Sequence, residues 1–359
     1  MNTKKSFKIL ATSFLLLFSF NMFAQFTITG KVVDSATKEP LYGASVFCQN
    51  TTSGTVTNKQ GEFSMQLKSG GYELIISFTG YQTKAIRLNG NDNTPLMIEL
   101  PKEEKSMTEV VVKSSNEVME GWDKYGKFFL ENFIGSTPNA GQCKIVNPEA
   151  IHFYYYKRSD KLKVLATEPI QIANNALGYN LRYQLDSFTY YYKTQISQYR
   201  GYCLFTEMQG SFDQMKKWST NRKAAYYGSK LHFTRSYYDS TLTEEGFEIA
   251  MLDENNDRLF NVISNPFDTT YYVVYDSTYE VEIYFPRKIS VTYKKKPDPL
   301  YLERNKMPKN VSAQISYVDL LDAIVIKENG YFYDQKDWVN QGYWGWKNIA
   351  DLLPYDYIP

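Results

Sequence analysis

The sequence has few of the residues from which reaction centres and covalent scaffolds are built. Among 359 residues there are two histidines, His152 and His232, and three cysteines, Cys48, Cys143 and Cys203. A zinc peptidase needs His and carboxylate ligands at fixed spacing plus a general base. Neither histidine stands in a His-x-x-Glu or His-Glu-x-x-His arrangement, so neither a metal site nor a zinc peptidase is expected. There is no Cys-x-x-Cys, no Gly-x-Ser-x-Gly elbow and no phosphate loop, and no cofactor is expected. Three cysteines are too few for a disulfide framework in a chain long enough to bury its own core. Cys143 and Cys203 could form one bridge in an oxidising compartment or remain thiols, and their spacing leaves both open. An excess of charge of one sign is also missing. Forty basic residues meet 39 acidic ones, and the single basic run, Lys294-Lys295-Lys296, reads as a solvated strand end. Without a polycationic face, nucleic acid is a poor partner.

Long apolar runs are confined to the first 24 residues. Lys4, Lys5 and Lys8 precede an apolar stretch from Ile9 to Phe23, broken by Thr12, Ser13, Ser19 and Asn21 and closed by Ala24. A basic start, a short apolar centre and a small residue at the cut describe a secretory signal peptide. The run is shorter and more interrupted than the ~20 residues of a spanning helix. Removing 1–24 takes three basic residues, leaving 37 against 39. The expected locations are the periplasm, the outer-membrane region or the cell exterior, with no transmembrane segment after signal removal.

What the sequence does have is strand pattern. Apolar residues alternate at Ala44, Val46, Cys48, at Phe63, Met65, Leu67 and at Tyr72, Leu74, Ile76, Phe78, a period of two that puts each set on one face of a strand. Turn formers separate the runs, among them Pro40, Gly54, Asn58-Lys59-Gln60-Gly61 and Gly70-Gly71. About seven short strands at such spacing predict an antiparallel β-sandwich over 25–100, with Cys48 buried inside it.

Four segments of this stretch, Phe26-Thr-Ile-Thr-Gly-Lys-Val-Val-Asp34, Pro40-Leu-Tyr-Gly-Ala-Ser-Val46, Gly54-Thr-Val-Thr-Asn-Lys-Gln-Gly-Glu-Phe63 and Ser77-Phe-Thr-Gly-Tyr81, together resemble the carboxypeptidase-like regulatory domain. The resemblance implies a transthyretin-like sandwich of the kind frequent in exported Bacteroidetes proteins, including the front of TonB-dependent transporters. That domain accompanies carboxypeptidases without performing their chemistry. Asn58 departs from the Asp many members carry; it can make the same side-chain turn to backbone. The segment 101–114, with Lys102 and Lys105 ahead of Glu109-Val-Val-Val-Lys113, reads as a linker and a last strand. It resembles the join to a transporter plug, but no barrel-length sequence follows it, and a barrel is not expected.

Residues 115–359 are predicted to form a larger β-rich α+β domain. Ser114 and Glu117 have the spacing of a capping box, and Val118, Trp122, Tyr125, Phe129 and Phe133 continue a helix over 115–134. Strands are expected over 151–157, 161–167, 179–192 and 201–208, three more within 269–293, then 312–318 and 322–327. Asn329-Gly330 signals a hairpin. A second helical region is expected over 211–239. Trp338, Tyr343, Trp344 and Trp346 read as a terminal segment closing a core. Asp-Ser/Thr tripeptides at Asp34, Asp239, Asp268 and Asp276 resemble Bacteroidetes O-glycosylation acceptors and are also ordinary turn starters.

One polar cluster stands out. Arg222, Tyr226, Ser229, His232 and Arg235 share a face if the helical register continues. His232 titrates near neutrality when unperturbed, and two arginines can hold an anion, making Arg222, Tyr226, His232 and Arg235 ligand-binding candidates. The competing reading is a hydrogen-bonded network that packs a helix on a sheet. No catalytic residue is assigned. The function expected is a non-enzymatic envelope protein acting in binding, scaffolding or assembly, with an envelope protein or glycan as partner. The alternative is a hydrolase of glycan or peptide with a dispersed Asp, Glu and His site in the larger domain.

Overall fold

A computed structural model describes residues 25–88, 94–103, 115–253 and 260–359. The expected signal segment 1–24 and most of the linker lie outside the described residues. The described chain is mainly β.

Seven strands follow the predicted spacing: β1 (Gln25–Asp34), β2 (Ser45–Cys48), β3 (Gly54–Val56), β4 (Glu62–Lys68), β5 (Tyr72–Ser77), β6 (Lys84–Leu88) and β7 (Leu96–Leu100). They form two sheets, ordered β4-β1-β7 and β3-β2-β5-β6. All pairs are antiparallel except β1 with β7. β4 shows why the sheets stack: Phe63, Met65 and Leu67 are buried while Glu62, Ser64, Gln66 and Lys68 face water. Cys48 lies in the core between the sheets. The Asn58 side chain accepts from the backbone N–H groups of Gln60 and Glu62, each at 2.9 Å. Asp34 stabilises its own turn by accepting from the N–H groups of Ala36 and Thr37.

Beyond residue 115 the described residues form two further large cores and two small clusters. The first belongs to a sheet ordered β8-β11-β12-β10-β9, with β13 on the other edge of β12. Its strands are β8 (Cys143–Ile145), β9 (Ile151–Tyr156), β10 (Lys161–Ala166), β11 (Ile170–Asn174), β12 (Tyr179–Tyr191) and β13 (Ile196–Glu207). Helix α1 (Gly121–Phe133) lays Phe129 and Phe133 on this sheet, with ring centroids 5.1 Å apart for Phe129 and Phe188. The expected start of that helix at 115 is corrected. Val118 donates its N–H to the Phe153 carbonyl and Glu117 bridges Tyr154, so the chain is held against β9 until Glu120 turns it in a left-handed conformation, φ 53°. Glu117 pairs with His152 instead of capping, and Ser114 lies outside the described residues.

The last core joins α3 (Lys230–Tyr238) to two sheets, while α2 (Phe212–Tyr226) gives Ala225 and Tyr226 to the first core. One is ordered β15-β14-β18-β19-β21 and the other β16-β17-β20. Their strands are β14 (Phe247–Leu252), β15 (Phe260–Val262), β16 (Tyr272–Tyr275), β17 (Glu280–Ile283), β18 (Ile289–Tyr293), β19 (Gln314–Leu320), β20 (Ile324–Lys327) and β21 (Trp338–Gly342). Trp338 and Trp344 are buried there, while Tyr343 packs with Tyr301 and Trp346 in a small cluster of its own. All three cysteines are free thiols; β11 and β12 lie between Cys143 and Cys203.

The sandwich is seated directly on the rest of the chain. Its β2–β3 loop inserts beside β13: Asn50 donates its N–H to the Cys203 carbonyl at 2.7 Å, and Phe205 donates to that of Thr51 at 2.9 Å. Asn329 grips Gly71 on both backbone groups, accepting at 3.1 Å and donating at 3.0 Å. Gly71 also lets the Lys327 side chain pack against it, since a Cβ there would lie 2.3 Å from that side chain.

Candidate functional site

The region that carries the candidate cluster begins with a capping box. Ser211 Oγ accepts from the Gln214 N–H and the Gln214 side chain accepts from that of Ser211. The helix does not continue to 239. It ends at Tyr226, and α3 restarts after Gly228, whose φ of +81° suits glycine. A Cβ on Gly228 would lie 2.4 Å from the Tyr293 ring. The Ser229 hydroxyl caps the new helix by accepting from the His232 N–H at 3.1 Å.

The break changes which candidates meet. Tyr226, His232 and Arg235 converge, with ring centroids of Tyr226 and His232 4.9 Å apart and the Arg235 guanidinium 5.6 Å from the Tyr226 ring. His232 is 2% exposed. Its Nδ1 accepts from the Gly228 N–H at 3.1 Å, which leaves Nε2–H to donate to Glu245 at 3.0 Å. Burial pulls the imidazole below its ordinary value, against the opposing pull of Glu245, and the neutral tautomer fits both bonds. Arg235 donates to the carbonyls of Asn329, Tyr355 and Tyr357. These groups tie the tail and the β20 hairpin to α3.

Arg222 turns away from that network. Its guanidinium lies 3.8 Å over the Tyr179 ring, donates to the carbonyls of Leu177 and Gly178, and pairs with Glu207 at 2.9 Å. There it walls an open cleft of about 490 Å³ where sandwich, β12–β13 hairpin, α2 and tail meet. Thr52 and Asp356 face each other across another part of this cleft, the carboxylate accepting from the Thr52 N–H at 3.0 Å and from its hydroxyl. Lys68 and Lys223 complete a polar lining. Paired charges and exposed donors of this kind can hold a polar ligand. His232 is occupied between Gly228 and Glu245, and is not among the residues that line the cleft. Among the described residues no group of three His, Cys, Asp or Glu side chains could hold a metal ion. Nothing in the sequence singles out Tyr179, Glu207, Thr52 or Asp356, because they come from separate elements and Thr52 and Asp356 are 304 positions apart.

Residues 28–112 match the family model described as the CarboxypepD_reg-like domain. The TonB-dependent receptor SusC of Bacteroides thetaiotaomicron is 33% identical over 107 residues, covering 30% of this chain and 10% of the receptor. A TonB-dependent receptor of Formosa agariphila is 32% identical over 111 residues, again 30% of this chain and 10% of that protein. The chain therefore spans about a tenth of the length of these curated relatives. A solved structure of a protein of unknown function from Bacteroides fragilis is 18% identical, covers 45% of this chain and 65% of that one, and has a TM-score of 0.19, a value that carries no argument. No helix among the described residues is long and apolar enough to cross a membrane. The two-sheet packing of β1 to β7, the Asn58 turn and the matched sequence agree: residues 28–112 of this chain are a CarboxypepD_reg-like domain.

Proposed function

We propose that this chain is a non-enzymatic protein of the bacterial cell envelope, exported by its first 24 residues, that acts in binding, scaffolding or assembly with an envelope protein or glycan as partner. The observation that carries the reading is the seating of the CarboxypepD_reg-like sandwich on the larger body through the β2–β3 loop, Asn329 and Asp356. Those contacts make the module part of one scaffold with a cleft at its seams. The polar residues that resemble reaction machinery are spent on backbone carbonyls and helix ends, which favours an architectural role. Similarity of the sandwich to the same domain in TonB-dependent receptors supports the envelope.

Two measurements test this. Fractionation of native cells is expected to place the protein in the envelope or medium with 1–24 removed; an unprocessed cytoplasmic protein overturns the export reading. Pure protein incubated with glycan and peptide substrates is expected to hydrolyse none. Hydrolysis that disappears on a single Asp, Glu or His substitution would establish the hydrolase alternative instead.

A further inference from the structure

A second concavity shares no lining residue with the cleft, and its chemistry is different. It is an open groove of about 390 Å³ between the N-terminal end of α1 and the start of β9. Trp122, Val118 and Phe153 give it an apolar floor, and Met119 stands at the lip 86% exposed. Glu117, Glu120 and Glu149 rim it, and neither lysine nor arginine lines it. Glu117 is held by His152 at 2.9 Å. Glu120 and Glu149 are exposed and have no ion-pair partner among the described residues.

We infer that this groove binds an extended peptide segment of a partner protein in which lysine or arginine flanks an apolar side chain. Three observations select that occupant. An apolar floor under carboxylates, with no lysine or arginine in the lining and His152 already taken by Glu117, is complementary to an apolar side chain beside positive charge. Met119, an adaptable side chain, has no packing reason to stand in water and can fold over a bound apolar group. The surface already accepts extended chain: β9 is the outer strand of its sheet, and the segment at Glu117 and Val118 docks on it through one antiparallel bridge and the Val118 to Phe153 bond of 2.9 Å. That segment fills the β9 edge at Phe153 and Tyr154, so the apolar floor and the carboxylates set the preference for a bound peptide. The groove is separate from the cleft at the sandwich seam, and the inference adds a partner class to the binding reading on which it rests.

The test is fluorescence anisotropy of the full chain with a fluorescein-labelled peptide, Gly-Lys-Leu-Phe-Lys-Gly, at low salt. Saturable binding is expected, weakened about three- to tenfold by the double substitution Glu120→Gln/Glu149→Gln, as loss of two exposed charge contacts implies, and also by Met119→Ser. Both variants change only exposed side chains, so the fold is retained. Equal binding of a peptide with glutamate in place of each lysine, or unchanged binding by both variants, overturns the proposal. Displacement by monomeric dodecyltrimethylammonium as effective as by unlabelled peptide also overturns it, by showing a site for any cationic amphiphile. None of these outcomes bears on the hydrolysis assay, so failure here and failure of the non-enzymatic reading are distinguishable.

Discussion

Single residues divide here into those that hold backbone and those whose charge is packed against aromatic rings without an ion pair among the described residues. Arg235 is of the first kind, giving its guanidinium to three carbonyls from two separate segments. Arg235→Ala leaves those acceptors short of donors, and a loss of about 2–4 kcal/mol in urea denaturation is expected. Lys230 is of the second kind. Its ammonium lies 5.0 Å from the Phe332 ring and 5.7 Å from that of Trp338. Burial pulls its pKa down to about 8 from 10.5. The charged form is thus penalised in the folded state. Below pH 8 the penalty is complete, and it disappears as pH rises from 8 towards 10.5, where the amine is neutral folded or unfolded. Lys230→Met is therefore expected to stabilise by about 1 kcal/mol near neutral pH, with the advantage vanishing towards pH 10.5. An advantage that grows with pH in thermal melts would contradict this.

At the scale of elements, the break between α2 and α3 organises the candidate cluster. Ser211→Ala removes the cap of α2 and should cost about 1 kcal/mol by denaturant titration. Gly228→Ala forces a side chain into the Tyr293 ring at a left-handed position, and is expected to cost about 2 kcal/mol or more. The capping box at Ser211 was legible from spacing, because Ser and Gln three apart satisfy each other's backbone groups locally. Gly228 was legible as punctuation, but the loss of helical register there was not. A helical register read through Gly228 keeps Arg222 with His232, whereas Tyr293 and the Trp344 indole, which donates to the Gly228 carbonyl at 2.8 Å, hold the turn from a distant strand and a distant helical turn. The start of α1 slipped for the same reason, since β9 claims Val118 before a helix can.

At the scale of the molecule, the sandwich and the larger body share an interface of polar clasps. Arg87 pairs with Asp334 at 2.6 Å and lies 4.8 Å over the Tyr333 ring. Asn329 holds Gly71 from the other side of the hairpin turn. Asn329→Ala is expected to loosen the seam by about 2 kcal/mol. Amides of β5 and β6 should then exchange faster in deuterium while those of β12 keep their protection. Uniform loss of protection, or none, would mean that the clasp does not couple the two parts.

The sequence by itself determined the β-sandwich over 26–100, with Cys48 inside it and Asn58 at its turn, because alternation, turn residues and capping are local and each residue's role depends on near neighbours. It also pointed to a terminal aromatic segment closing a core, in which Trp338, Tyr343 and Trp344 are buried and Trp346 is half-buried. Only the tertiary structure decided that the described residues beyond 115 divide between two large cores, that Arg222 leaves the company of His232, and that Thr52 meets Asp356. Those outcomes depend on contacts between segments far apart in the chain, whose register is set when sheets and helices pack and not by any periodicity within them.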